Sequence, residues 1–346
     1  MRRHLNTLYV TTQGAYLNKD GANVVVSIEG AERARVPIHT LGGLVGFGRV
    51  ALSPPLLGFC AEAGVAVTFL SEHGKFLARV EGPVSGNVLL RREQYRRTDD
   101  PDGCAAIVRS LVIGKALNQR AVIRRALRDH GERMEAPASA TLEVAERRLT
   151  DIARRAERPQ LADTLRGLEG EAANVYFGAF DALIRAQNED FRFAGRSRRP
   201  PLDPVNALLS FVYALLVHDV RSALETVGLD PAVGFLHRDR PGRPSLALDL
   251  MEEFRPFFAD RLALSLINRR QVSAKGFRRI ENGACLMTDE ARKAVLVAYQ
   301  ERKREELRHP YLGEPTTVGL LWHLQAQLLA RHLRGDLDGY PPFVWK

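Results

Sequence analysis

The stretch Phe76–Arg97, FLARVEGPVSGNVLLRREQYRR, is where the chain changes its period. Before it, from Asn6 to about Val80, short β-branched segments alternate with glycines: Thr7–Thr12, Ala15–Asn18, Asn23–Ile28, Ala34–Ile38, Val65–Leu70 and Lys75–Val80. That spacing predicts strands. After Glu81-Gly82-Pro83, apolar residues recur at three- and four-residue steps for nearly all of the remaining chain, which predicts helices. The expected fold class is α+β: a small, mostly antiparallel β-rich N-terminal domain over 1–84, a larger all-α domain over 85–340, and an uncommitted tail over 341–346.

Several boundaries follow from local chemistry. Ser53-Pro54-Pro55 reads as an N-cap followed by proline in the first turn of a helix that ends near Gly64. Asp203-Pro204 starts a helix through Asn206, Leu209, Tyr213 and Leu216 that stops before Gly228. Further helices are expected from about Leu161 to Arg185 and from about Ser245 toward Asn268. The segment Phe191–Pro201, FRFAGRSRRPP, reads as a mobile basic loop, a surface linker or a DNA contact. GGLVGFG at Gly42–Gly48 reads as a bend with close packing.

Length and composition bound the function. A chain of 346 residues has material for two cores. Three cysteines with no C-x-x-C exclude a disulfide framework and a cysteine zinc site. The opening MRRHLNTLYVTT lacks the apolar core of a signal peptide, and no uninterrupted apolar run reaches the roughly 18 residues of a membrane span, so a cytoplasmic protein is expected. The net charge is +9, carried by 43 arginines against seven lysines. Arginine matches phosphate oxygens bidentately, which suits a nucleic-acid partner; a genome rich in G and C raises arginine without any such partner. Both readings stand on composition alone.

Two local oddities carry chemistry. Glu169 shares a helix face with Ala173, Tyr176 and Phe180, so an acid sits on an apolar stripe. It either lies at the edge, reaching water or Arg166, or has a function. Gly170 beside it suggests a close approach to the backbone. In LALDLMEEFRP, Asp249 is a helical neighbour of both Glu252 and Glu253. Those like charges are offset either by a helix N-terminus with Arg255 nearby, or by a divalent cation. His237, in the loop GFLHRDRPGRP twelve residues before Asp249, could add a nitrogen ligand. The P-loop, G-x-S-x-G, H-E-x-x-H and dinucleotide-binding patterns are absent.

Three long motifs then occur in order: LRGLEGEAANVYF around Glu169, RRPPLDPVNALLSFVYALL from Arg198, and GFLHRDRPGRPSLALDLMEEFRP around His237. With LYVTTQGAYL and FLSEHGKFLARVEGPVSGN, they strongly resemble the CRISPR-associated spacer-acquisition endonuclease, the universal adaptation integrase, in the form that accompanies a type I, subtype C system. The resemblance implies a homodimer formed through the β domain and a metal-dependent site in the helical domain. It implies that Glu169, His237 and Glu252 hold Mg2+ or Mn2+, with Asp249 as the first acid of the last motif and Glu253 as a rival for Glu252. It further implies a small second adaptation protein as partner and insertion of short double-stranded DNA segments into a repeat array. Asn206, Ser210 and Tyr213 match the family's helix near the site. Arg192, Arg196, Arg198, Arg199, Asn206 and Tyr213 are the expected DNA-binding residues. Two other functions stay open: a stand-alone metal-dependent nuclease acting on branched or repair DNA intermediates, and a non-catalytic DNA-binding scaffold indifferent to chelators.

Overall fold

The computed structural model describes residues 6–74, 76–80, 82 and 88–345. The chain divides into two compact units: Met1–Ser85 with Tyr299–Arg304, and Gly86–Ala298 with Glu305–Lys346. The expected boundary at 84/85 and the strand start at Lys75 lie outside the described residues. The last strand of the first unit ends at Val80 and the first helix of the second begins at Val88.

The first unit is built from β1 (Asn6–Val10), β2 (Tyr16–Asp20), β3 (Asn23–Ile28), β4 (Ala31–Pro37), β5 (Leu41–Phe47), β6 (Ala51–Leu52), helix α1 (Pro54–Glu62), β7 (Ala66–Leu70) and β8 (Phe76–Val80). They form two four-stranded sheets of order β1-β5-β7-β8 and β4-β3-β2-β6. The unit is β-rich as expected, but its pairing is mixed. β5 runs parallel to both β1 and β7, and β6 runs parallel to β2; the other pairs are antiparallel. Leu17, Val24, Leu44 and Val67 from the strands and Leu56 from α1 belong to one buried core cluster. Ser53 caps α1 as its sequence indicated, its hydroxyl accepting from the Leu56 amide at 3.3 Å.

GGLVGFG is mostly strand: Gly42–Phe47 belong to β5, a central strand, and the bend comes only at Gly48, at φ 71°; the close packing expected of the segment is present at Gly43 and Gly46. A Cβ at Gly46 would lie 3.2 Å from Val50, and one at Gly43 would lie 3.4 Å from Thr7. Glycine here makes room for packing at a cost in strand propensity.

The second unit is mainly helical: α2 (Val88–Asp99), α3 (Pro101–His130), α4 (Ala136–Ala156), α5 (Ala162–Gly178), α6 (Pro204–Val227), α7 (Ser245–Met251), α8 (Arg261–Asn268), α9 (Asp289–Arg304, whose last residues belong to the first unit) and α10 (Leu321–Leu333). Two small hairpins, β9 (Phe277–Arg279) with β10 (Cys285–Met287) and β11 (Glu306–Arg308) with β12 (Pro315–Thr317), are additions to the all-α expectation. The limits of α6 are those its sequence specifies. Asp203 accepts from the Asn206 amide at 2.8 Å, and Gly228 closes the helix in the left-handed conformation at φ 93°.

Taken as a whole, α6 has the length and mean hydropathy of a membrane span, although polar residues interrupt its apolar runs. Two thirds of its most apolar window is buried, so it is a core helix of this unit. The expected uncommitted tail is also packed inside. Tyr340 and Phe343 are buried, and the Phe343 ring lies 5.5 Å from Phe254 and 5.0 Å from Phe257. Nor is the basic loop a free linker, because Phe191 and Phe193 are buried and anchor it.

Candidate metal centre

Four segments of the helical unit bring charged groups together. α3 supplies Lys115, α5 supplies Glu169, the loop after α6 supplies His237, and the turn after α7 supplies Glu252 and Arg255. The Lys115 ammonium contacts Glu169 Oε1 and lies 2.7 Å from Glu252 Oε2. Arg255 Nη1 lies 2.9 Å from Glu252 Oε1, and His237 Nε2 lies 3.9 Å from that same oxygen. Lys115 and Glu252 are almost wholly buried, whereas Glu169 and His237 keep 25% and 20% of their side chains exposed. The site therefore has a buried charged floor and an open edge formed by Glu169 and His237.

The His237 loop is held along both edges. Asp249 accepts the amides of Phe235, Leu236 and His237 at 2.6, 2.9 and 2.8 Å. Arg166, reaching over from α5, donates to the carbonyls of Phe235 and Leu236 at 2.8 and 2.7 Å. Gly234 is required at the start of this loop, since a Cβ would come within 2.8 Å of Asp249 Oδ2 and of Ser245. Gly170, by contrast, faces open space, and the expected close approach to its backbone is absent.

The acidic run resolves in three directions. Asp249 turns to the His237 loop, Glu252 to Lys115 and Arg255, and Glu253 to the C-terminal segment. All three are buried; Asp249 lies in the last turn of the short α7, and Glu252 and Glu253 lie in the turn between it and the helical segment Arg255–Asp260 that runs into α8. Glu253 accepts from Phe343 N at 2.7 Å, Tyr340 Oη at 2.7 Å and Gln325 Nε2 at 3.1 Å. Burial pushes its carboxyl up to about 8 in spite of those bonds. Burial also acts to raise Glu252, but the Arg255 guanidinium and Lys115 ammonium beside it outweigh that and hold it at about 2. Glu252 is the carboxylate that faces the site, and Glu253 is bound to internal partners.

Among the described residues, no three His, Cys, Asp or Glu side chains are gathered closely enough to hold an ion by themselves. Between Glu169 and Glu252 the cation is Lys115. The donor chemistry nevertheless fits a hard divalent ion: two carboxylates and one imidazole, with the Lys115 ammonium as the partner of the buried Glu252 Oε2.

Of the residues expected to touch DNA, Arg192, Arg198 and Arg199 are exposed. Arg196, Asn206 and Tyr213 have internal partners instead. Arg196 bonds Asn206 Oδ1 and lies over the Phe177 and Tyr213 rings. Asn206 is buried, and Tyr213 donates to Asp260 at 2.5 Å while its ring lies 4.9 Å from the Arg255 guanidinium. Tyr213 thus supports the arginine that holds Glu252. Sequence reasoning missed Lys115 and Asp260, and named Arg166 as a partner of Glu169 rather than of the His237 loop. Lys115 had a visible signal, as one of only seven lysines placed inside the apolar run LVIGKAL.

A β-rich unit joined to a helical unit, with acid, histidine and acid on three separate segments, is the architecture to be matched. The family described as CRISPR associated protein Cas1 matches residues 8–301, and the chain belongs to it. It is 58% identical over 346 residues to the CRISPR-associated endonuclease Cas1 1 of Chlorobaculum tepidum, with 100% of both chains covered. It is 59% identical over 347 residues to the CRISPR-associated endonuclease Cas1 2 of Rhodospirillum rubrum, again over 100% of both. Among solved structures, a CAS1 protein from Thermotoga maritima superposes with a TM-score of 0.79 at 25% identity, covering 96% of this chain and 97% of that one.

Proposed function

We propose that this chain is a DNA endonuclease and integrase that inserts short foreign DNA segments into a CRISPR array, in the cytoplasm, as part of a type I, subtype C system. The observation that carries the proposal is a cation, the Lys115 ammonium, held between Glu169 and Glu252, with His237 Nε2 3.9 Å from the other Glu252 oxygen at the edge of a buried charged floor. In strand transfer a DNA 3′-hydroxyl attacks a phosphodiester: a new P–O bond forms, the original P–O3′ bond breaks, and the released 3′-oxygen takes a proton. In the nuclease reaction of the same site, water replaces the hydroxyl.

Glu169, His237 and Glu252 would hold a Mg2+ or Mn2+ ion, which when bound neutralises charge on the phosphate oxygens and lowers the pKa of the attacking hydroxyl. The chain's own residues do the positioning. Asp249 accepts from His237 Nδ1 and directs Nε2 inward. Arg255 fixes the buried Glu252 carboxylate, and Arg166 clamps the loop carbonyls. Exposed Arg192, Arg198 and Arg199 supply cations for the DNA backbone. A homodimer formed through the β-rich unit, acting with the small second adaptation protein, completes the proposal.

A supercoiled plasmid carrying a repeat array tests it against its rivals. Joining of a short duplex at the array, blocked by a chelator, supports the integrase. Nicking without regard to the array supports a stand-alone nuclease, and DNA binding without any strand chemistry supports a scaffold.

A further inference from the structure

The mechanism above leaves Lys115 without a task, yet its ammonium occupies the centre of the site. It touches Glu169 Oε1 and lies 2.7 Å from Glu252 Oε2, and its side chain is 5% exposed. An ion shared by those two carboxylates needs the position that the ammonium holds. The charges lead to the same conclusion. Glu169 and Glu252 are matched by Lys115 and Arg255, so the group is neutral as it stands. A divalent ion added to this arrangement would raise the positive charge of a largely buried place by two units, which is unfavourable at low effective dielectric. Arg255 is the less able of the two to withdraw, because its guanidinium lies over the Tyr213 ring and the Tyr213 hydroxyl is itself tied to Asp260. Lysine has a flexible four-carbon stem carrying a compact point charge and can swing away without breaking such a stack.

We infer that Lys115 is a built-in counter-cation, and that divalent-ion binding at this centre is an exchange in which the ion displaces the Lys115 ammonium from between Glu169 and Glu252. Lys115 is therefore a positioning residue. It keeps the two carboxylates together before the ion arrives, and it sets how tightly the ion binds. This inference rests on the assignment of Glu169 and Glu252 as ion ligands.

The test is a Mn2+ titration of the full-length protein, followed by the electron paramagnetic resonance signal of free Mn2+, for wild type, Lys115→Met and Lys115→Arg. Exchange predicts at least tenfold tighter Mn2+ binding by Lys115→Met, and no such gain for Lys115→Arg, which keeps the cation. If Lys115→Met folds poorly on its own, its melting temperature should rise on Mn2+ addition by more than that of wild type. In unmodified protein labelled with 15N-lysine, the Lys115 ammonium signal should shift as Mg2+ is added. Wild-type Mn2+ binding with unchanged or weaker affinity in Lys115→Met, or a Lys115 signal that ignores Mg2+, would overturn the exchange while leaving the ligand assignment intact. Absence of Mn2+ binding in all three proteins would overturn both.

Discussion

Asp249 Oδ1 accepts hydrogen bonds from both the amide and the ring Nδ1 of His237, at 2.8 and 2.7 Å. A carboxylate accepts, so the pairing places a proton on Nδ1 and turns Nε2 toward Glu252. Asp249→Ala is expected to lower Mn2+ affinity and strand joining about 10–100-fold, the usual cost of losing a ligand-orienting partner. His237→Ala should lose more. Metal titration and a joining assay on both variants check the order.

Among the described residues, Glu252 is the acid paired with both Lys115 and Arg255, whose side chains are 5% and 17% exposed. Its removal to alanine leaves Lys115 and Arg255 with an uncompensated buried charge, a change that typically costs about 3–5 kcal/mol. Glu252→Ala should therefore unfold at clearly lower denaturant than wild type, whereas Glu169→Ala, at the open edge, should lose much less stability. Urea unfolding of both variants measures the difference.

The C-terminal segment is part of the core. Phe343 is 1% exposed, and its amide is one of three donors to Glu253. Phe343→Ala should cost about 3–5 kcal/mol, in the range for buried aromatic truncation. Deleting residues 340–346 should be worse, because Glu253 and Asn118 lose their partners together. Thermal unfolding of the two variants distinguishes this from a dispensable tail, which would leave the melting temperature unchanged.

Asp260 gives the stability a pH dependence of definite sign. Burial raises its carboxyl from an ordinary 3.8 to about 6, despite the Tyr213 hydroxyl donated to it. Between those values the folded state holds the proton and the unfolded state has released it, so stability falls as pH rises through the window. The slope contributed is at most about 1.4 kcal/mol per pH unit. Asp260→Asn removes that contribution. Its stability relative to wild type should therefore improve from pH 4 to pH 6 and level off above, as measured by denaturant unfolding at each pH.

DNA affinity should fall steeply with salt, since each neutralised phosphate contributes about −0.9 to the log–log slope for duplex DNA. Arg198→Ala with Arg199→Ala should make that slope shallower by up to about 1.8 if both reach phosphates. Arg196→Ala, which removes an internal partner of Asn206, should show itself in stability instead.

What the sequence made legible was whatever local chemistry decides. The change of period after Val80, the Ser53 and Asp203 caps and the Gly228 stop all depend on neighbouring residues, and all are where their sequence placed them. Glu169 and the run Asp249, Glu252 and Glu253 stood out because acids on apolar stripes and crowded carboxylates need partners, whereas His237 and the choice of Glu252 came from the family resemblance. The partners themselves were invisible, because they come from remote segments. Lys115 is 54 residues from Glu169, and Phe343 is 90 from Glu253. Strand β5 was hidden by glycines that disfavour a strand locally and are required only by the packing of Val50 and Thr7. The same limit misplaced the C-terminal segment, whose few residues carry no periodicity of their own.

The most direct measurement is the rate at which purified Glu169→Gln and His237→Ala join a short duplex to a repeat-bearing plasmid, with DNA affinity measured alongside. Joining reduced to background with DNA affinity close to wild type is the expected result. Wild-type joining by either variant would contradict a cation site built on those side chains.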